Sequence, residues 1–230
     1  LASWVHRDGE DWRARVSRWL PAHGIDAWVV QRDIADPALY VGTWLRDAGM
    51  DPRTEDAGRR ADEWLTAFEQ AGVDGVGFGF VYLRAIEGPT ELLAEDLTHG
   101  FDDPLGDEAI AYFERSAWLR TVAADPGLAW SSRYRVEPAT ALERVYLPGS
   151  DGWARQVTRL HRGDGPRWQH EVDETTVSLL AGMRPDGLTL YELLELLTLA
   201  HGSDGVPQDL ATDVLAVVTG LVRHGLIRPV

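Results

Sequence analysis

The chain has 230 residues, 44% of them hydrophobic, and a formal net charge of −15. That length allows one or two domains, while the acidic field repels polyphosphate and disfavours duplex DNA as a partner. With no Cys, disulfides, thiolate metal sites and a Cys nucleophile are excluded.

Leu1 to Val5 is a short apolar run that ends in the turn-like His6-Arg7-Asp8-Gly9. A helix follows in which Trp12, Val16, Trp19 and Leu20 recur at helical spacing, closed by Pro21 and Gly24. Ala27 to Arg32 reads as a buried strand. Asp36-Pro37 is an N-cap followed by an N1 proline, opening a helix with Leu39, Tyr40, Trp44 and Leu45 inward that stops at Gly49. Residues 51–60 are polar and predict a loop. Ala61 to Ala71 predicts a helix with Trp64, Leu65 and Phe68 on one face. Val73 to Ala85 then predicts a long strand in which Gly75, Gly77 and Gly79 strip one face of side chains, leaving room for a close neighbour.

After Asp103-Pro104 a helix runs to about Val122. The pattern then changes to short alternating strands, 133–138, 142–147, 154–161 and 168–172, separated by Pro148-Gly149 and Gly163-Asp164-Gly165. Three helices follow, Thr175–Ala181, Thr189–Ala200 and Gln208–Gly225, and residues 225–230 close as a strand, a winged-helix-like order. The expected divisions are 1–92, 93–173 and 174–230.

No complete catalytic or phosphate-binding motif stands out, and the seven His occur singly, so no metal site is expected. All 22 basic residues are Arg. Seven of them fall between Arg133 and His170, against four acids and interleaved with aromatic residues. Arg135, Arg155, Arg159, Arg162 and Arg167 beside Trp153 and Trp168 form a candidate macromolecule-binding set, RNA being the chemistry that Arg and Trp together suit. The alternative for these residues is Arg stems covering sheet and Trp rings filling the core.

The runs Trp4-Val5-His6-Arg7-Asp8-Gly9-Glu10-Asp11-Trp12, Asp26-Ala27-Trp28-Val29-Val30-Gln31-Arg32, Asp36-Pro37-Ala38-Leu39-Tyr40-Val41 and Gly75-Val76-Gly77-Phe78-Gly79-Phe80-Val81-Tyr82-Leu83-Arg84 carry a resemblance. They are similar to an actinobacterial group of class I S-adenosylmethionine-dependent methyltransferases, related to the release-factor glutamine and small-domain ribosomal-RNA guanine enzymes. The resemblance implies the fold class: an α/β chain holding the C-terminal part of a Rossmann-like sheet, then a small β-rich segment and a winged-helix-like domain. Leu1–Val5 corresponds to strand five of that sheet, Ala27–Arg32 to strand six, and Val73–Ala85 to strand seven, antiparallel between them. The family's glycine-rich cofactor loop, ribose carboxylate and Asn-Pro-Pro-aromatic motif have no counterpart, and the chain contains no Asn at all. No catalytic or cofactor-binding residue is therefore assigned. S-adenosylmethionine is expected to bind the complete enzyme and not this chain alone, which is read as a portion that is inactive by itself. His6, Arg7 and Asp8 after strand five and Gln31, Arg32 and Asp33 after strand six are substrate-side candidates, since ligands of such sheets sit beyond the carboxyl ends of the parallel strands.

The implied partners are the missing N-terminal half and a protein or RNA substrate, with no duplex DNA and no membrane. Without a preceding strand, the Leu1–Val5 edge is expected to associate or fray. No signal peptide is visible at Leu1-Ala2-Ser3-Trp4, so a cytoplasmic location is expected. A non-enzymatic protein- or RNA-binding module, built on the winged-helix-like and Arg/Trp-rich segments, is the alternative function.

Overall fold

The computed structural model describes residues 1–202 and 205–230, as a mixed α/β chain with eight helices and three sheets among them. It divides into two compact units, Leu1–His99 and Gly100–Val230. The divisions read from sequence fell at 92/93 and 173/174; the structure instead keeps residues 93–99 with the first unit.

In the first unit β1 (Ala2–Arg7) leads into α1 (Trp12–Ser17), β2 (His23–Ala35), α2 (Pro37–Asp47), α3 (Glu55–Gln70), β3 (Val73–Pro89) and β4 (Glu91–Asp96). The sheet order is β1-β3-β2-β4. β3 runs antiparallel to both β1 and β2, the order expected for the third strand, and β4 joins β2 in parallel. Asp11, Asp36 and Thr54 cap α1, α2 and α3 with their side chains, each accepting from a first-turn amide. α1 covers one face, where Trp12 and Val16 pack with Trp4 and Val29. On the other face Tyr40 of α2 meets Phe68 of α3 and Phe78 of β3.

Two expectations need correction here, and one strand is additional to them. Residues 55–60 are helical rather than loop: Glu55 and Asp56 occupy the first turn of α3, and Arg59 reaches Asp56 and Glu63 at helical spacing. β4 is a strand with no sequence expectation. Leu39, Trp44 and Trp64 are largely exposed, and Val41 and Ala57 are the residues α2 and α3 bury.

The second unit begins with α4 (Gly106–Ala124) and α5 (Gly127–Ser131). β5 (Tyr134–Val136), the hairpin β6 (Thr140–Gly149) and β7 (Gly152–Arg162), and β8 (Gln169–Glu171) follow. The unit ends with α6 (Glu174–Gly182), α7 (Leu190–Ala200), α8 (Gln208–Arg223) and β9 (Ile227–Pro229). β6-β7-β8 is an antiparallel meander, and β5 pairs with β9 across most of the unit's sequence. The hairpin reverses at Ser150-Asp151, two residues beyond the expected Pro148-Gly149 turn, and Pro148 stays in register opposite Trp153. Thr189 and Glu192 form a reciprocal capping box at the start of α7. Tyr134, Leu190, Leu194, Leu221, Leu226 and Ile227 are fully buried and make the core beneath the helices. No helix among the described residues is long and apolar enough to cross a membrane.

Candidate functional site

In the first unit, two of the six substrate-side candidates come together. His6 and Gln31 meet through Nε2 and Oε1 at 2.7 Å, and Trp4 Nε1 donates to the same oxygen at 2.8 Å. Gln31 Nε2 donates onward to Asp96 Oδ1 at 2.5 Å. Asp96 also pairs with Arg13, whose Nε donates to Ala94 O at 3.0 Å. An indole N–H only donates, so Trp4 fixes the Gln31 amide orientation, and the His6 nitrogen facing it must carry its proton. The remaining candidates, Arg7, Asp8, Arg32 and Asp33, are exposed, and Asp33 is turned onto the Ile34 amide.

Gly77 makes this relay possible. A Cβ there would lie 2.4 Å from Gln31 Oε1, 2.5 Å from Trp4 Nε1 and 2.8 Å from His6 Nε2. At Gly79 it would lie 1.9 Å from the Val30 carbonyl. The stripped face of β3 is thus filled by side chains of the flanking strands. Trp4, Arg13 and Asp96 were not among the sequence candidates; Asp96 lies 65 residues from Gln31, on a strand with no sequence expectation.

The Arg and Trp set in the second unit is dispersed. Arg155 pairs with Glu174, Arg159 with Glu171 at 3.1 Å, and Arg167 with Asp102 at 2.6 Å. Arg135 pairs with Glu137 at 3.4 Å. Trp168 is buried and stacks on His224, with ring centres 4.4 Å apart, whereas Trp153 projects from the hairpin 73% exposed. Each of the five guanidiniums has a carboxylate partner, so the set presents no uncompensated basic surface.

Arg162 instead belongs to a buried cluster. Glu108 accepts from Arg162 Nη2 at 2.6 Å through one oxygen and from Arg115 Nη2 at 2.5 Å through the other. Both guanidiniums also hold the end of α8: Arg115 Nε donates to Arg223 O at 3.0 Å, and Arg162 Nη1 to His224 O at 3.1 Å. They thereby satisfy carbonyls that a helix terminus leaves without partners. Arg162 also binds Asp164 at 2.6 Å. Burial pulls the Arg115 pKa down despite Glu108. At Arg162 burial acts the same way, but Glu108 and Asp164 together outweigh it and hold the value up. Both remain charged. Beside the cluster opens a cavity of about 480 Å³, walled by Arg115, Arg162, Trp118, Pro138, Ile227 and Pro229 among others.

A family model, a domain of unknown function (DUF7782), matches residues 110–229, just over half of the chain. The chain belongs to the DUF7782 family. The DUF7782 segment starts within α4 and runs through β9, taking in Arg115, Trp118, Arg162 and Gly225; Glu108 lies just ahead of it. No curated protein matches the chain.

Proposed function

We propose that the chain is the C-terminal portion of a class I S-adenosylmethionine-dependent methyltransferase, with the DUF7782 segment as its appendage. The supporting observation is the order β1-β3-β2, in which β1 and β2 are mutually parallel and joined through a helix, and β3 is inserted antiparallel between them. Strands five, seven and six of such a sheet have that order. On this reading β1 offers its outer edge to a preceding strand, and the substrate approaches the ends of β1 and β2, near His6 and Arg32.

The residues of this chain do not fit the cofactor. The glycine-rich stretch of β3 is occupied by Trp4, His6 and Gln31, which leaves no cradle for a nucleotide. No step of methyl transfer is therefore derived from these residues, and the cofactor loop and Asn-Pro-Pro-aromatic motif are assigned to a preceding segment of the parent protein. A cytoplasmic location accompanies the reading. The order of α6, α7, α8 and β9 supports a winged-helix-like appendage, and α8, with Asp209 and Asp213 against Arg223, favours a protein contact over nucleic acid.

The test is to read the coding sequence upstream of Leu1 and express the longer polypeptide. An Asn-Pro-Pro-aromatic motif should lie within about 60 residues, the span of the intervening strand–helix pairs. Calorimetry should show S-adenosylmethionine binding to the longer polypeptide and none to this chain. Lack of the motif, or a longer polypeptide that does not bind the cofactor, would refute the proposal.

A further inference from the structure

The cavity beside Arg115 is independent of the sheet argument, since every residue that lines it lies in the second unit. Two guanidiniums line the cavity. Arg115 and Arg162 are both largely buried, and they share the single carboxylate of Glu108. Asp164 adds a second carboxylate, but to Arg162 alone. Arg115 is therefore the less compensated of the two. Its Nε and Nη2 are committed, and among the described residues Nη1 has no acceptor. A guanidinium with one amino group open to the cavity can donate a charge-assisted hydrogen bond to an anion there.

Much of the remaining lining is apolar. Ile227, Pro229 and Pro138 belong to it with Trp118, whose ring is set edge-on against Tyr134 with centres 6.1 Å apart. The carboxylates around the cavity limit the charge it accepts. Glu137, held by Arg135 and Arg228, Asp164, held by Arg162, and the exposed Glu114 all line it. These acids repel a dianion such as a phosphate monoester about twice as strongly as a monoanion. A volume of about 480 Å³ suits a small molecule.

We propose that this cavity binds a small organic monocarboxylate with a flat apolar body, the carboxylate on Arg115 Nη1 and the body against Trp118, Ile227 and Pro229. Gly225 keeps the charged wall in position, because a Cβ there would sit 2.8 Å from Arg162 Nη1 and 3.2 Å from Arg115 Nη1.

The test uses the full chain and indole-3-acetate as probe, with indole-3-acetamide as its neutral counterpart, titrated by calorimetry and followed through the Arg Nε–H and Trp indole N–H resonances. The acid should bind about tenfold more tightly than the amide, as one charge-assisted hydrogen bond provides, and should shift the Arg115 and Trp118 signals. Arg115→Met should remove that preference. Ala111→Phe, which fills the cavity from α4, should abolish binding of both compounds, and the comparison of acid with amide on the unaltered chain keeps the test decisive if either variant unfolds. Equal affinity for acid and amide, no binding of the acid at about 10 mM, weaker than the millimolar range small ligands reach, or unchanged binding in Ala111→Phe would overturn the proposal.

Discussion

Replacing Gly77 by Ala tests the relay on β3 directly. The backbone at Gly77 is ordinary strand, so the substitution acts through space alone. The added methyl meets Gln31, Trp4 and His6 at 2.4–2.8 Å, and each must retreat by several tenths of an ångström or more to reach ordinary contact. Gln31 is 2% exposed and Trp4 3%, so retreat disturbs packing that is already closed. Overpacking of that kind costs about 1–3 kcal/mol. If Gln31 swings away, the Trp4 indole N–H loses its acceptor while buried, for about 1–3 kcal/mol more. Reduced freedom of the unfolded chain returns about 0.4–1 kcal/mol. The net destabilisation is about 1–5 kcal/mol, and from the middle of that range a urea m-value of about 2 kcal/mol/M lowers the midpoint of the first unit by roughly 1.5 M. Urea unfolding should be followed through the indole N–H resonance of Trp4, so that the first unit is read separately. Gly58→Ala, on the exposed part of α3 with open space around its Cβ, should instead stabilise by about 0.5–1 kcal/mol. The double variant Gly77→Ala with Gln31→Ala should show a coupling energy above about 1 kcal/mol, because the main obstacle is gone. A change at Gly77 no larger than at Gly58, or additivity in the double variant, would refute the steric account.

Gly225→Ala should destabilise the second unit by about 2–4 kcal/mol, the sum of a left-handed backbone and a clash with two guanidiniums. Gly9→Ala, at a similar φ of 72° but with nothing near its Cβ, should lose only about 1–2 kcal/mol by the same urea assay. Glu108→Leu strips the shared carboxylate from two buried guanidiniums and should cost about 3–5 kcal/mol in the urea midpoint of the second unit. Glu192 is held below its ordinary pKa of 4.5 by the Thr189 amide and then the Thr189 hydroxyl. A depressed carboxylate stabilises above its unfolded value and ceases to do so as pH falls through its lower folded value. The stability gap between the wild type and Glu192→Ala should therefore be constant above the ordinary carboxylate range and close as pH falls through and below it; a gap that persists at the acid end would contradict the capping assignment.

Much of the fold is legible in sequence because local chemistry sets it. The Asp36-Pro37 start, the alternating glycines and the helical periodicity of residues 208–223 each act within a few residues. α3 hides its first turn because Glu55 to Arg60 buries only Ala57, so no apolar stripe marks it. β4 is short, and its pattern of Leu92 and Leu93 between acids acquires meaning only from β2 beside it. At the sites, the Arg-rich segment reads as basic along the chain. Arg135 and Arg162 find Glu137 and Asp164 two positions away, but other partners are remote in sequence, Glu108 at 54 positions from Arg162 and Asp102 at 65 from Arg167. No periodicity encodes such pairs.

The way α8 is fastened bears on how the second unit assembles. Arg115 reaches the Arg223 carbonyl across 108 positions, and Arg162 reaches His224 across 62. β5 then waits for β9 to close its sheet, and the fully buried Leu226 and Ile227 arrive with it. α4 and the β6–β7 hairpin can form early from local contacts, but two buried guanidiniums lack their carbonyl acceptors until residues 223–229 have been synthesised. Contacts so distant in sequence are late and slow to form. A chain stopped short of residue 223 therefore lacks both carbonyl acceptors, the partner of β5 and the buried Leu226 and Ile227, and cannot complete the core of the second unit.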